Sequence, residues 1–282
     1  ASLGGKRTDG ENLVQVLRSR GYGYVETKAD MEAYSGKKLW GMFGPDALSY
    51  ELDRERFTPT QPSLAEMTGK AIEILKKNSN GFFLFVEGSK VDWADHANDP
   101  VGSVTDFLAF DDAVGLALDY AKKHEGTLVL VFADHATGGM TLGNNATSST
   151  YSHLQPASLL THLKAARLTG EGIEYALGSD RSESNVRNVM DAEYSISDLT
   201  PEEVAAIQAA PAGSMNSVVG PMISKRSSIG WTTTGHTGED IFFWYYGYKK
   251  PLKLIQNTDI AALCAKRLGF NLDEADKKLF VE

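Results

Sequence analysis

The sequence of 282 residues contains one cysteine, Cys264, so no disulfide can close within it and no metal site built on cysteine thiolates is available. Any metal must therefore be held by histidine and carboxylates. No apolar run approaches the roughly 18–20 residues that cross a bilayer. The densest, Phe82-Phe83-Leu84-Phe85-Val86, is strand-sized. Excess basic charge is also missing: 28 Lys+Arg stand against 37 Asp+Glu, a net charge of −9. With no Lys/Arg block either, nucleic acid as a specific partner and an anionic membrane surface are disfavoured. The chain opens Ala1-Ser2-Leu3-Gly4-Gly5, without an initiator Met or a charged-then-apolar leader, and reads as a processed or trimmed product whose compartment is not written at its start. No internal repeat or low-complexity tract occurs. What remains, 42% hydrophobic, 23% charged and 10% aromatic, is the composition of a globular protein with a real core.

Apolar spacing predicts a first helix over residues 9–20, opened by Asp9 and stopped by Gly21, then a short strand from Tyr22 to Val25 and irregular chain from Asp46 to Thr58. Ser63-Leu64-Ala65-Glu66 is a capping box for a second helix reaching Lys77. A strand Phe82–Val86 and a long helix from about Ser103 to Lys123 follow, with Phe107, Phe110, Val114, Leu118 and Ala121 facing inward. Next comes the β-branched run Thr127 to Phe132. Strands apolar on both faces, alternating with helices, predict an α/β sheet covered by helices, with its chemistry beyond the carboxyl ends of the strands. Residues from about 140 to 230 loosen into polar stretches and short helices, one opened by the capping box Thr200-Pro201-Glu202-Glu203, and read as an insertion within one domain. A strand from Ile241 to Tyr246 and a helix from about Thr258 to Leu268 return to the main layer.

Three clusters carry chemistry. Glu87-Gly88-Ser89-Lys90-Val91-Asp92-Trp93-Ala94-Asp95-His96 follows the strand Phe82–Val86, and on a helical turn Asp92 and His96, four apart, face the same way and can grip one cation. Taken alone, such a pair is more often a solvated face. Asp134-His135 closes the next strand and leads into Ala136-Thr137-Gly138-Gly139; taken singly, these two are more often a capped turn and an interior histidine. Thr234-Gly235-His236-Thr237-Gly238 precedes the last strand. Together, His, Asp and Glu at three strand ends suit zinc with nitrogen and oxygen ligands, plus a harder ion such as magnesium at a carboxylate.

Val86-Glu87-Gly88-Ser89 with Asp92 and His96, then Ala133-Asp134-His135 with Gly138-Gly139, then His236-Thr237-Gly238, in this order, resembles the alkaline phosphatase family. The likeness covers most of the sequence and is weakest in the insertion. It implies a three-layer α/β/α sandwich with a mostly parallel sheet, incomplete at its N-terminus. It also implies that Asp92, His96 and His236 hold a first zinc, Asp134 and His135 two positions of a second, and Glu87 one position of a magnesium site. Phosphate monoesters and inorganic phosphate are the implied ligands, a homodimer or pairing through an uncovered sheet edge the implied assembly, and the periplasm or exterior the implied location. Trp93 reads either as a group near the phosphate or as an aromatic packed over the insertion, and Asp95 as an orienting or solvated neighbour. Lys90, His124, His153 and His162 are assigned surface or structural duty.

The departures matter as much. The family's nucleophile sits in an Asp-Ser-Ala or Asp-Thr type motif, and no Asp in this sequence is followed by Ser or Thr. The resemblance places Leu3-Gly4-Gly5 just after that missing region, so the chain reads as a C-terminal portion that is inactive alone. Two other readings remain: another metal-dependent hydrolase of the same superfamily (a phosphodiesterase, sulfatase or phosphoglycerate mutase), or a zinc-binding module without a catalytic role.

Overall fold

The computed structural model describes residues 8–249 and 252–272, with 274 and 277. Leu3-Gly4-Gly5 lies outside the described residues. The first half of the chain forms α1 (Leu13–Ser19), β1 (Gly23–Val25), α2 (Lys28–Ala33), β2 (Leu39–Gly41), α3 (Glu51–Phe57), α4 (Leu64–Leu75), α5 (Lys90–His96) and α6 (Pro100–Lys123). Then come β3 (Val129–Phe132), β4 (Ala136–Thr137), β5 (Thr141–Leu142), α7 (Pro156–Ala165), α8 (Gly170–Leu177), α9 (Glu183–Tyr194), α10 (Pro201–Ala209) and α11 (Met215–Arg226). The chain continues through β6 (Ile229–Gly230), β7 (His236–Thr237), β8 (Phe243–Tyr246) and α12 (Asn257–Leu268).

Local signals set most of these boundaries. The Ser63 and Thr200 capping boxes form as expected, each hydroxyl accepting from the N3 amide while the N3 glutamate accepts from the cap. The first helix starts later than expected, because the Asn12 side chain, not Asp9, accepts from the amide of Gln15. Asp99, fully buried, caps α6 by accepting from Val101 and Gly102. Two expectations need correcting. Asp46 to Thr58 is not irregular throughout, since Glu51–Phe57 is helical. Its first-turn amide at Glu51 donates across space to the Asp106 carboxylate of α6, a cap that no local pattern reveals. Phe107 on α6 is exposed, not inward.

Sheet content differs from expectation. Among the described residues the strands make four two-stranded ladders; β1–β2 is parallel, and β3–β8, β4–β7 and β5–β6 are antiparallel. Phe82–Val86 runs without a ladder partner, and Phe83 and Phe85 are 58% and 67% exposed. An apolar run fixes a preference for a buried strand, but pairing requires a neighbour from elsewhere in the chain, and no described segment forms a ladder with it. The mostly parallel sheet is therefore not what the described ladders form.

The tightest apolar packing lies where the sequence looks loosest. Leu168, Ile173, Val186, Met190, Tyr194, Ile207, Met215, Val219 and Ile223, from the α8–α11 region, are at most 1% exposed and form one cluster with Val101 of α6. Buried polar contacts fasten this helical region to α3 and to the start of α6. Both oxygens of Asp53 accept from Thr169, and Asn216 donates to Asp99.

Candidate metal centre

The three motifs, far apart in sequence, are joined by one short ladder and by hydrogen bonds that link each motif to the next. β4 pairs antiparallel with β7 so that Thr137 lies opposite His236 and Ala136 opposite Thr237. Gly138 makes the close approach possible. It sits at φ +72°, its amide donates to Gly235, and an added Cβ would stand 2.7 Å from the Trp231 ring and 2.9 Å from the Asp95 carbonyl. α5 is held to the same loop by Nδ1 of His96, 2.6 Å from the Thr234 carbonyl.

Donor atoms of Asp92, His135 and His236 lie within 4.8 Å of one another. This triad takes Asp92 and His236 from the set expected for one zinc and His135 from the other. His96 adjoins it, with its Nε2 3.5 Å from Asp92 Oδ2 and its ring centroid 5.1 Å from that of His236. The His135 and His236 rings stack at 3.6 Å.

Hydrogen bonds fix which nitrogen faces the cluster. A carbonyl only accepts, so His96 must carry its proton on Nδ1, leaving Nε2 toward Asp92. Thr137 Oγ1 donates to Asp92 Oδ1 at 2.6 Å and lies 3.2 Å from His135 Nδ1. With its own proton committed to the carboxylate, the hydroxyl accepts from Nδ1, and the His135 Nε2 lone pair is again left outward. That Nε2 lies 3.3 Å from Asp134 Oδ2. Two acceptors facing each other at such distances need a proton or a cation between them. A tetrahedral ion with bonds of about 2.1 Å spaces its donors about 3.4 Å apart.

The other expected residues fall outside the triad. Asp134 is 85% exposed, with Oδ1 accepting from the His135 amide. Glu87 is exposed and is not among the converging donors. Trp93 is 47% exposed, with the Lys90 ammonium 4.5 Å from its ring centroid. Asp95 turns inward: its Oδ1 is buried without a partner, and burial pushes its carboxyl up to about 6, opposed by a hydrogen bond from Ser103.

A family model described as Alkaline phosphatase matches residues 1–269. The chain belongs to the alkaline phosphatase family. It is 36% identical over 263 residues to alkaline phosphatase 4 of Bacillus subtilis, covering 91% of this chain and 54% of that protein. To alkaline phosphatase 3 of the same organism it is 35% identical over 274 residues, covering 94% and 56%. The crystal structure of Thermus thermophilus alkaline phosphatase superposes with a TM-score of 0.81 at 27% identity, over 94% of this chain and 60% of that one. That of the cold-active enzyme from the psychrophile Shewanella sp. gives 0.71 at 26%, over 87% and 58%. The chain thus has the alkaline phosphatase fold and spans about half the length of the curated relatives it matches.

Alkaline phosphatases are metal-dependent, and the donors here are of the right kind for zinc: two imidazole nitrogens and a carboxylate oxygen, with a third imidazole adjacent. Of the oxygen ligands that an octahedral magnesium ion demands, Glu87 would supply one exposed carboxylate.

Thr137 was missed by sequence reading. The only available signal was its place two residues after His135, which says nothing of a hydroxyl joining a histidine and a carboxylate from different motifs. Removing this joint should be felt by the metal. Thr137→Val keeps the shape and deletes the hydroxyl, and is expected to weaken zinc binding by about 10- to 100-fold, as read by competition against a chromophoric chelator. Unchanged affinity would show that the joint is dispensable.

Proposed function

We propose that the chain carries the metal-holding part of a phosphate monoester hydrolase. Asp92, His96 and His236 would hold one zinc, and Asp134 and His135 two positions of a second. The supporting observation is the convergence of Asp92, His135 and His236 donors within 4.8 Å. When bound, zinc supplies Lewis acidity that stabilises negative charge building up on phosphoryl oxygens.

The chain's own residues prepare this. His96 and His135 present Nε2 because the Thr234 carbonyl and the Thr137 hydroxyl hold their Nδ1 protons. Asp92 brings negative charge while one of its oxygens is steadied by Thr137. The sequence contains no Asp-Ser or Asp-Thr step, so the attacking hydroxyl is assigned to residues beyond these 282. Within this proposal the unladdered Phe82–Val86 is where a further strand, or a second copy of the chain, completes a three-layer sandwich. A periplasmic or secreted location follows from kinship alone, and no helix among the described residues is long and apolar enough to cross a membrane.

Turnover of p-nitrophenyl phosphate by the chain alone is expected at background. It should appear when the N-terminal half of alkaline phosphatase 4 of Bacillus subtilis, about half of which this chain matches, is added in trans. Turnover by the chain alone that disappears in Asp92→Ala would place the nucleophile within these residues and overturn the division of labour.

A further inference from the structure

Lys90 opens α5, two residues before Asp92, and sequence reading assigns it no more than surface or structural duty. The structure removes it from solvent. Its side chain is 13% exposed, and its ammonium lies 4.3 Å from the Tyr50 ring centroid and 4.5 Å from that of Trp93. It is also 3.3 Å from a carboxylate oxygen of Glu171 in α8. A lysine head is strongly hydrated, and desolvating one is unfavourable unless an anion and aromatic faces replace the water. All three replacements come from different elements: the residue before α3, the next turn of α5, and the helical insertion.

Trp93, by contrast, is half exposed. Among the described residues its indole stacks on no other ring and its Nε1 makes no hydrogen bond; the Lys90 ammonium is the one directional contact on its ring. Trp93 is also the immediate neighbour of Asp92.

We propose that Lys90 is a positioning residue: held between the Tyr50 ring and Glu171, it locks the Trp93 indole and, with it, the first turn of α5 that carries Asp92. The insertion thereby reaches the metal centre through a single cation. Glu171 anchors the ammonium, the ammonium fixes the ring, and the turn sets the carboxylate that Thr137 steadies from its other side. The Asp92 part of this inference rests on the proposed metal centre, whereas the Trp93 part does not.

The test uses the full chain and two readouts. Lys90→Met keeps the apolar stem and removes the charge; Lys90→Arg keeps the charge. Fluorescence anisotropy attributable to Trp93 is obtained in metal-free protein by subtracting Trp93→Phe in each background, with far-UV circular dichroism confirming that every variant is folded. Zinc affinity is measured on the same proteins by chelator competition.

In Lys90→Met the Trp93 anisotropy should fall and zinc binding should weaken about tenfold, while Lys90→Arg retains both. Unchanged anisotropy in folded Lys90→Met overturns the lock. Fallen anisotropy with undiminished zinc affinity overturns its extension to Asp92. Should the unsubstituted chain take up no zinc while its Trp93 anisotropy still depends on Lys90, the metal centre falls and the lock on Trp93 is upheld. Loss of fold in Lys90→Met moves the decision to Glu171→Gln, which must lower the anisotropy or the lock is overturned.

Discussion

Replacing Asp92 or His236 with alanine is expected to weaken zinc binding by more than 100-fold. These two residues belong both to the set that the motifs imply for one zinc and to the triad whose donors converge within 4.8 Å. Loss of a partner that merely orients a ligand lowers metal affinity by about 10- to 100-fold, so loss of a ligand itself must exceed that range. Substitution of His96 and His135 separates two arrangements. If the motif-derived set holds the tighter ion, His96→Ala should resemble His236→Ala, and His135→Ala should remove only a second, weaker ion. If the observed triad holds it, the two exchange roles. Metal analysis after dialysis gives the stoichiometry and chelator competition the affinity. Undiminished uptake in both Asp92→Ala and His236→Ala would show that the cluster is not a metal centre.

A pH dependence of stability should be nearly as large. Burial pushes the Asp106 carboxyl up to about 7, with the Glu51 and Asp53 charges adding to the rise and Lys90 opposing it. Asp99, wholly enclosed, is raised by burial to about 6. The unfolded chain releases these protons near pH 4, whereas the folded chain keeps them until pH 6–7. Between those values the folded state binds more protons, so its stability is fully present below about pH 4 and is lost as pH rises through 6 and 7. At about 1.4 kcal/mol per pH unit, the Asp106 contribution alone is on the order of 4 kcal/mol, or on the order of 10 °C in melting temperature for a domain of this size.

Thermal unfolding followed in chelator from pH 5 to pH 8 is therefore expected to show a falling melting temperature. Asp106→Asn should flatten part of that slope and melt above the unsubstituted chain at pH 8, because an amide keeps an acceptor for the Glu51 amide without a charge to bury. A rising or flat profile would show that the Asp106 and Asp99 carboxyls are not held protonated by the fold.

Much of the chain was legible as sequence wherever the signal was local. A capping box needs only residues three apart, and those at Ser63 and Thr200 form as read. Asp92 and His96 share a face because α5 is a helix, and that too follows from spacing alone. Residues whose environment is set from afar were misread. α3 looked irregular because its cap comes from Asp106, more than fifty positions away. The insertion looked loose because its apolar residues are scattered among polar ones, yet helices α8 to α11 bring them into the best-packed core. Lys90 looked like a surface residue because nothing nearby in sequence announces Tyr50 and Glu171.

Which side chains are available for chemistry follows from residue order alone: histidines and carboxylates in three motifs, no thiolate pair and no Asp-Ser or Asp-Thr step. Residue order also sets the helices that carry some of them, because helix periodicity and capping depend on residues within a turn or two. Folding alone sets His236 opposite Thr137, lets Thr137 join His135 to Asp92, and leaves Asp134 and Glu87 exposed while Asp92, His135 and His236 converge. Such choices turn on strand register and on packing between segments about a hundred residues apart, where a one-residue slip would send a side chain to the opposite face.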